Sequence, residues 1–336
     1  MPKTETPRAA ATAPSPGRVV VAGASGLIGT ALVASLRADG VEVHTLVRRA
    51  AQTPFEHEWL TDSASLDANA LDPALLDGAS AVVALGGASI GRIPWTPSYK
   101  RELISSRLVT THAIADAVRA LGTDAPAFIC ASAVGFYGSQ PGAVLDESGR
   151  RGTGFLADLV TRWEGAARTA GNHARIVHLR TAPVVHPDGV LAPLIRLTNA
   201  GLGGRLGRGT QVWPWISLVD EVRAIRHLID SDTSGPVNLA AHQRATANDL
   251  GFALAVALNR PFLVPAPAFA LRGVLGRDMA DAVLLSDANV VPGVLQASGF
   301  TFTNDTVESA VDAAVVVLEE RRAAEASTAP ENAVAG

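Results

Sequence analysis

Short runs of β-branched and apolar residues alternate along the chain with longer stretches whose apolar positions recur every three or four residues. Residues 18–22 read as a buried strand. Leu27, Ile28, Ala31, Leu32 and Leu36 then fall on one face of a helix that Asp39-Gly40 ends. Residues 41–47 form the next strand. Two further apolar runs, 79–85 and 127–131, bracket a helix predicted over 97–121, and 175–180 is another strand. His178 sits in that strand between Val177 and Leu179 and reads as a core or cross-strand histidine rather than a catalytic one. The alternation predicts an α/β fold, a doubly wound parallel sheet with helices on both faces.

The texture changes after Pro183. Residues 201–209 hold five glycines, and 211–217 carry Trp213 and Trp215, two of the five tryptophans. A helix over 218–229, a strand over 236–240 and a helix over 246–258 follow, the last stopped by Asn259-Arg260-Pro261. A proline-punctuated link, 262–267, leads to further helices, and the final one (306–320) buries Val307, Ala310, Val311, Ala314 and Leu318. Residues 1–17 and 323–336 read as disordered tails. No period of 20–50 residues repeats.

The turn between the first strand and first helix is Gly23-Ala-Ser25-Gly26-Leu27-Ile28-Gly29. Strand, glycines, helix and second strand span 19–47, close to the ~30-residue unit of a dinucleotide site. Glycines there permit a tight turn and let the backbone approach a pyrophosphate, which the helix N-terminus stabilises. At the end of the second strand, where a carboxylate would accept bonds from a ribose, stand Arg48 and Arg49. Guanidinium groups grip a 2′-phosphate with paired charge-assisted bonds, so NADP(H) is favoured over NAD(H); the alternative is a solvated arginine pair.

Composition narrows the chemistry. The 336 residues are 48% hydrophobic and 18% charged, which excludes disorder throughout, and the net charge of −4 argues against nucleic-acid binding. No uninterrupted run of ~18 apolar residues predicts a membrane span, and no secretory leader precedes residue 18, so a cytoplasmic location is expected. The histidines lack metal-ligand spacing, so no metal is expected. Cys130, the only cysteine, reads as a small core residue. There are only two lysines, Lys3 and Lys100, and two tyrosines, Tyr99 and Tyr137. No Gly-Lys pair exists, which excludes a Walker-type loop.

The spacing Gly-x-x-Gly-x-x-Gly resembles the extended short-chain dehydrogenase/reductase superfamily. Residues 86–107 (Gly-Gly-Ala-Ser-Ile-Gly-Arg-Ile-Pro-Trp-Thr-Pro-Ser-Tyr-Lys-Arg-Glu-Leu-Ile-Ser-Ser-Arg) narrow the resemblance to its atypical "epimerase family protein" branch. So do Ser132-Ala-Val-Gly-Phe-Tyr-Gly138, the segment 201–211 and Trp215-Ile-Ser-Leu-Val-Asp220. Residues 235–314 resemble that branch's small C-terminal domain of unknown function. The resemblance implies a Rossmann-type domain over 18–180 and about 216–240, with a smaller substrate-binding part from 181–215 and 241–322. It implies that Leu85, Gly86 and Gly87 cover the adenosine side of the cofactor and that Thr181, Pro183 and Val184 line the nicotinamide. It also implies a small-molecule substrate facing Gly204, Gln211, Trp213 and Trp215; core packing is the other reading of the tryptophans.

Carbonyl reduction in the superfamily uses a Tyr whose pKa a Lys four residues later lowers, with a Ser holding the substrate oxygen. No Tyr-x-x-x-Lys exists in this chain, and the segment where it is expected reads Phe155-Leu-Ala-Asp158-Leu159. Two accounts follow. In one, the chain is an oxidoreductase in which Ser132 orients substrate and Tyr137, Arg107 or Asp158 handles the proton or charge; Tyr137 packing under the glycine turn and a solvated Asp158 are the alternatives. In the other, it binds NADP(H) without turnover, as a sensor or regulatory protein.

Overall fold

The computed structural model describes residues 17–60 and 71–328. Residues 1–16 and 329–336, which include most of both expected tails, lie outside the described residues. The strands are β1 (Val19–Ala22), β2 (Val43–Val47), β3 (Glu56–Glu58), β4 (Ala81–Ala84), β5 (Ala127–Ala133), β6 (Val144–Leu145), β7 (Ile176–Thr181), β8 (Val184–Val185), β9 (Ile216–Ser217), β10 (Gly235–Leu239) and β11 (Asn289–Val290). The helices are α1 (Leu27–Ala38), α2 (Pro97–Ala120), α3 (Phe155–Arg168), α4 (Leu191–Asn199), α5 (Leu218–Ile229), α6 (Ala247–Ala257), α7 (Ala268–Leu275), α8 (Arg277–Met279), α9 (Gly293–Ala297) and α10 (Val307–Thr328).

Seven strands form one sheet in the order β10-β7-β5-β4-β1-β2-β3, with every pairing parallel. Alternation along each strand gives the sheet two apolar faces. Val19, Val21, Val83, Ile129 and Leu179 pack under α1 and α5; Val20, Val82, Phe128 and Cys130 pack under α2 and α3. The order runs outward in both directions from β1 and β4, so the crevice at their carboxyl ends is the switch point at which such sheets bind ligands. The expected doubly wound parallel sheet is the fold observed.

A separate core forms from two stretches of chain that flank α5 and β10. Val185, Leu191, Ile195 and Trp215 meet Ala245, Leu250, Leu254, Val307, Val311 and Ala314. Asp220, buried at the start of α5, fixes this part to the sheet: its carboxylate accepts from the Thr303 and Asn304 amides at 2.7 and 3.0 Å. The last helix runs to Thr328, past the position where the sequence places a tail. Its alanines, interleaved with Glu and Arg, are strong helix formers without apolar periodicity.

Candidate functional site

β1 delivers Gly23 to the crevice with φ +83°, a left-handed conformation that glycine adopts without strain. A Cβ on Gly23 would fall 2.8 Å from the Leu85 carbonyl carbon and the Gly86 nitrogen, and one on Gly29 would fall 2.2 Å from the Gly23 oxygen. These two glycines are therefore required by the approach of the chain to itself. Gly26 differs: a Cβ there would meet only the Gly23 oxygen, at 3.4 Å. Gly26 caps α1 with extended backbone and no side-chain hydrogen bond, so no cap side chain covers the first-turn N–H groups. Ser25 and Gly26 are exposed, and Leu27 and Ile28 are half-buried.

The two arginines after β2 part company. Arg49 makes a bidentate pair with Glu56 of β3, at 2.8 and 2.7 Å, which holds the Glu56 carboxyl well below the usual carboxylate range. Arg48 is exposed and has no ion pair among the described residues. The sequence reading missed Glu56 because a polar Glu-His-Glu run carries no strand signal; pairing with β2 at the sheet edge makes it one.

Ser132 and Tyr137 belong to one buried polar network. On neighbouring strands, Ser132 and Arg180 stand in register. Ser132 Oγ donates to Glu164 Oε1 (2.8 Å), while Arg180 pairs with the same carboxylate through Nε (2.8 Å) and Nη2 (3.1 Å). Arg180 Nη1 donates to the Tyr137 hydroxyl at 2.9 Å, and that hydroxyl's proton has Asn238 Oδ1 (2.7 Å) and the Asp146 carbonyl (2.9 Å) as acceptors. Tyr137 is 0% exposed, and burial raises its pKa against the lowering pull of Arg180. Burial also raises the Glu164 pKa, but the Arg180 bond and charge outweigh it and the carboxyl ends below its ordinary value. Tyr137 is therefore a phenol sealed in the core, its hydroxyl committed to Arg180, Asn238 and the Asp146 carbonyl. Ser132 is likewise buried with its hydroxyl committed to Glu164.

Asp158 lies on the exposed face of the first turn of α3 and pairs with Arg151. Beside it, Phe155 packs edge-on against Trp95, with Lys100 Nζ 5.2 Å above its ring. Arg107 is buried on α2. Its guanidinium lies 5.0 Å from the Trp163 ring centre and against Gly87, and Nη1 donates to the Leu103 carbonyl at 3.0 Å. Burial lowers its pKa to about 10. No carboxylate pairs with it among the described residues. Of the four catalytic candidates, Ser132 and Tyr137 meet through Arg180 and Glu164. Arg107 faces the Trp163 ring of α3, and Asp158 stands apart on the exposed face.

The four substrate candidates lie on the stretch between α4 and β9. Gly204 lies where a Cβ would fall 2.1 Å from the Val264 oxygen. Gln211 is buried and donates to the Leu206 and Leu284 carbonyls. The indole N–H groups of Trp213 and Trp215 bond the Leu284 and Gln243 carbonyls, both at 3.1 Å. Apolar surface and satisfied N–H groups make both tryptophans core residues joining the two stretches of the smaller part. Pro183 is exposed and Val184 half-buried just beyond β7. Here the structure adds a group that the sequence reading missed. Glu221 of α5 is 0% exposed, accepts from Thr181 Oγ1 at 2.8 Å through one oxygen, and has no partner on the other. Burial pushes its carboxyl up to about 8. His178 and Cys130 are buried, and burial lowers the imidazole to about 4 and raises the thiol to about 12. Among the described residues no helix is long and apolar enough to cross a membrane.

The profile of the NAD dependent epimerase/dehydratase family matches residues 19–240. A domain of unknown function, DUF1731, matches residues 266–314, narrower than the 235–314 of the sequence resemblance. An epimerase family protein of Mycobacterium leprae is 39% identical over 298 residues, covering 87% of this chain and 94% of that protein. The human epimerase family protein SDR39U1 is 32% identical over 291 residues, 85% of this chain and 95% of its own length. A crystal structure of the human protein (isoform 2) with NADPH superposes with a TM-score of 0.80 at 29% identity, covering 89% of this chain and 99% of that one. A Thermus thermophilus UDP-glucose 4-epimerase, solved with NAD, shares the fold with a TM-score of 0.68 at 19% identity, over 88% of this chain and 96% of its own.

Proposed function

Since this chain belongs to the NAD dependent epimerase/dehydratase family, we propose that it binds NADP(H) across the crevice at β1 and β4 and acts as an oxidoreductase or epimerase on a small carbonyl or sugar-nucleotide substrate. The observation that carries the reading is the turn at Gly23–Gly29: exposed Gly26 opens an uncapped helix N-terminus at the switch point of the sheet. Gly23, Ser25, Gly26, Leu27, Ile28 and Gly29 would hold the pyrophosphate. Leu85, Gly86 and Gly87 would cover the adenosine side, and Thr181, Pro183 and Val184 the nicotinamide. When bound, the nicotinamide supplies a reversible two-electron reductant.

Arg48 supports the choice of NADP(H). It is exposed and free of ion pairs among the described residues, whereas Arg49 is committed to Glu56. The NADPH bound in the human relative agrees with this choice. One charge-assisted contact to a 2′-phosphate corresponds to about ten- to hundredfold in affinity. NADPH is therefore expected to bind about ten- to hundredfold more tightly than NADH, and Arg48→Asp to erase the difference. Fluorescence titration of both cofactors tests it; equal affinities in the unaltered protein would sink the preference, and binding of neither would sink the function.

A second reading, an NADP(H)-dependent sensor without turnover, is favoured by one observation. Phe155 and Leu159 stand where a Tyr and Lys are expected, and Tyr137 is sealed in the core. Incubation with NADPH and a panel of carbonyl compounds and nucleotide sugars separates the two: NADPH oxidation or sugar interconversion supports the enzyme, and tight binding without either supports the sensor.

A further inference from the structure

Among the described residues, two arginines are buried to nine-tenths or more, and they are treated differently. Arg180 has the Glu164 carboxylate along its Nε–Nη2 edge, and its Nη1 donates to the Tyr137 hydroxyl. Arg107 has one carbonyl, that of Leu103, and the face of Trp163. Its other N–H groups have no hydrogen-bond partner among the described residues, although a guanidinium carries five donors. Taking a cation out of water without an anion is costly, and a ring face offsets only part of that cost.

The surroundings say where an anion would sit. Leu103, Ser106, Arg107 and Thr110 share the face of α2 that meets the turn after β4. Ser106 Oγ accepts from the Ala88 amide at 3.0 Å, and the Thr110 side chain lies beside Gly86. Gly87 has no side chain where one would fall 3.1 Å from the Arg107 guanidinium carbon, so the guanidinium lies close against the exposed turn. The next glycine back, Gly86, touches Gly23 of the phosphate turn. The unpaired cation and the uncapped start of α1 therefore border one crevice.

We propose that Arg107 is an oxyanion site, whose guanidinium holds a phosphate oxygen of the bound ligand at the Gly86–Gly87 turn, and that it is a binding residue rather than a proton donor. The proposal deepens the reading of the crevice as a nucleotide site and rests on it. The phosphate can come from the dinucleotide cofactor or from a nucleotide-sugar substrate; the chemistry recognised is the same.

The test compares the unaltered protein with Arg107→Met and Arg107→Gln by calorimetry and thermal melting, using NADPH, UDP and inorganic pyrophosphate as probes. Both variants are expected to bind pyrophosphate about tenfold or more weakly. Without ligand, Arg107→Met should melt no lower than the unaltered protein, because an unpaired buried charge has been removed. Matching losses for NADPH but not UDP assign the site to the cofactor, and the reverse assigns it to the substrate. Unchanged affinity for all three probes overturns the proposal. So does a chain that folds with neither substitution, since Arg107 would then be structural. Unaltered protein that binds pyrophosphate or UDP through Arg107, but not NADPH, keeps this site and removes the proposed cofactor. Binding of no probe removes both.

Discussion

At the scale of single residues, the polar groups inside this molecule divide into satisfied and unsatisfied. Tyr137 is fully satisfied, and its hydroxyl links Arg180 to Asn238 and Asp146. Tyr137→Phe is therefore expected to cost about 1–3 kcal/mol of stability, because it strands buried partners. NADPH affinity should hardly change; a denaturant titration alongside a cofactor titration checks both. Glu221 is the opposite case, a buried carboxyl raised to about 8 with one oxygen unpartnered. Its folded pKa lies above the unfolded value of about 4.3. Over the interval between them the native state holds the extra proton, so stability is full below pH ~4.3 and falls as pH rises to about 8. The slope from this group is about 1.4 kcal/mol per pH unit. Glu221→Gln should flatten that part of the stability-against-pH curve, and an unchanged curve would show that the carboxyl is ionised in the native protein.

At the scale of elements, the glycine turn makes a prediction that its sequence alone does not. All three glycines look alike in the motif, but only Gly26 has space for a side chain. Gly23→Ala and Gly29→Ala should destabilise the fold by about 1–3 kcal/mol, through backbone collisions. Gly26→Val should leave the melting temperature nearly unchanged and weaken NADPH about tenfold or more, by occupying the ligand's approach. Equal behaviour of the three variants would contradict this division. Long elements were legible because their periodicity is unambiguous: β1, α1, β2, β4, α2, β5 and β7 lie within a few residues of their expected places. The pairs β6–β11 and β8–β9 were not, since two-residue strands have no period and β6 finds its partner far along the chain. The buried charges left a fainter signal. Glu164 shares a helix face with Val160, Trp163 and Ala167, and Arg107 shares one with Leu103, Thr111, Ile114 and Val118. A charge on an apolar face marks a group whose partner must be found in three dimensions, which spacing alone does not supply.

At the scale of the whole molecule, the two-piece core of the smaller part makes the chain hard to divide. A chain ending at residue 240 keeps all seven strands of the main sheet, yet it strips the cover from Leu191, Ile195 and Trp215, which are otherwise 0%, 7% and 1% exposed. Such a truncation is expected to bind a hydrophobic dye and to associate, whereas the full chain should be monodisperse under the same conditions. A monomeric truncation with full cofactor affinity would show that the sheet manages alone. The same arrangement has a consequence for biosynthesis. Residues 185–215 leave the ribosome before β10 completes the sheet, and their apolar partners in α6 and α10 are made after it. While the message for residues 241–315 is being read, the growing polypeptide carries half a core with nothing to close it, a window in which a chaperone or a neighbouring nascent chain can take hold.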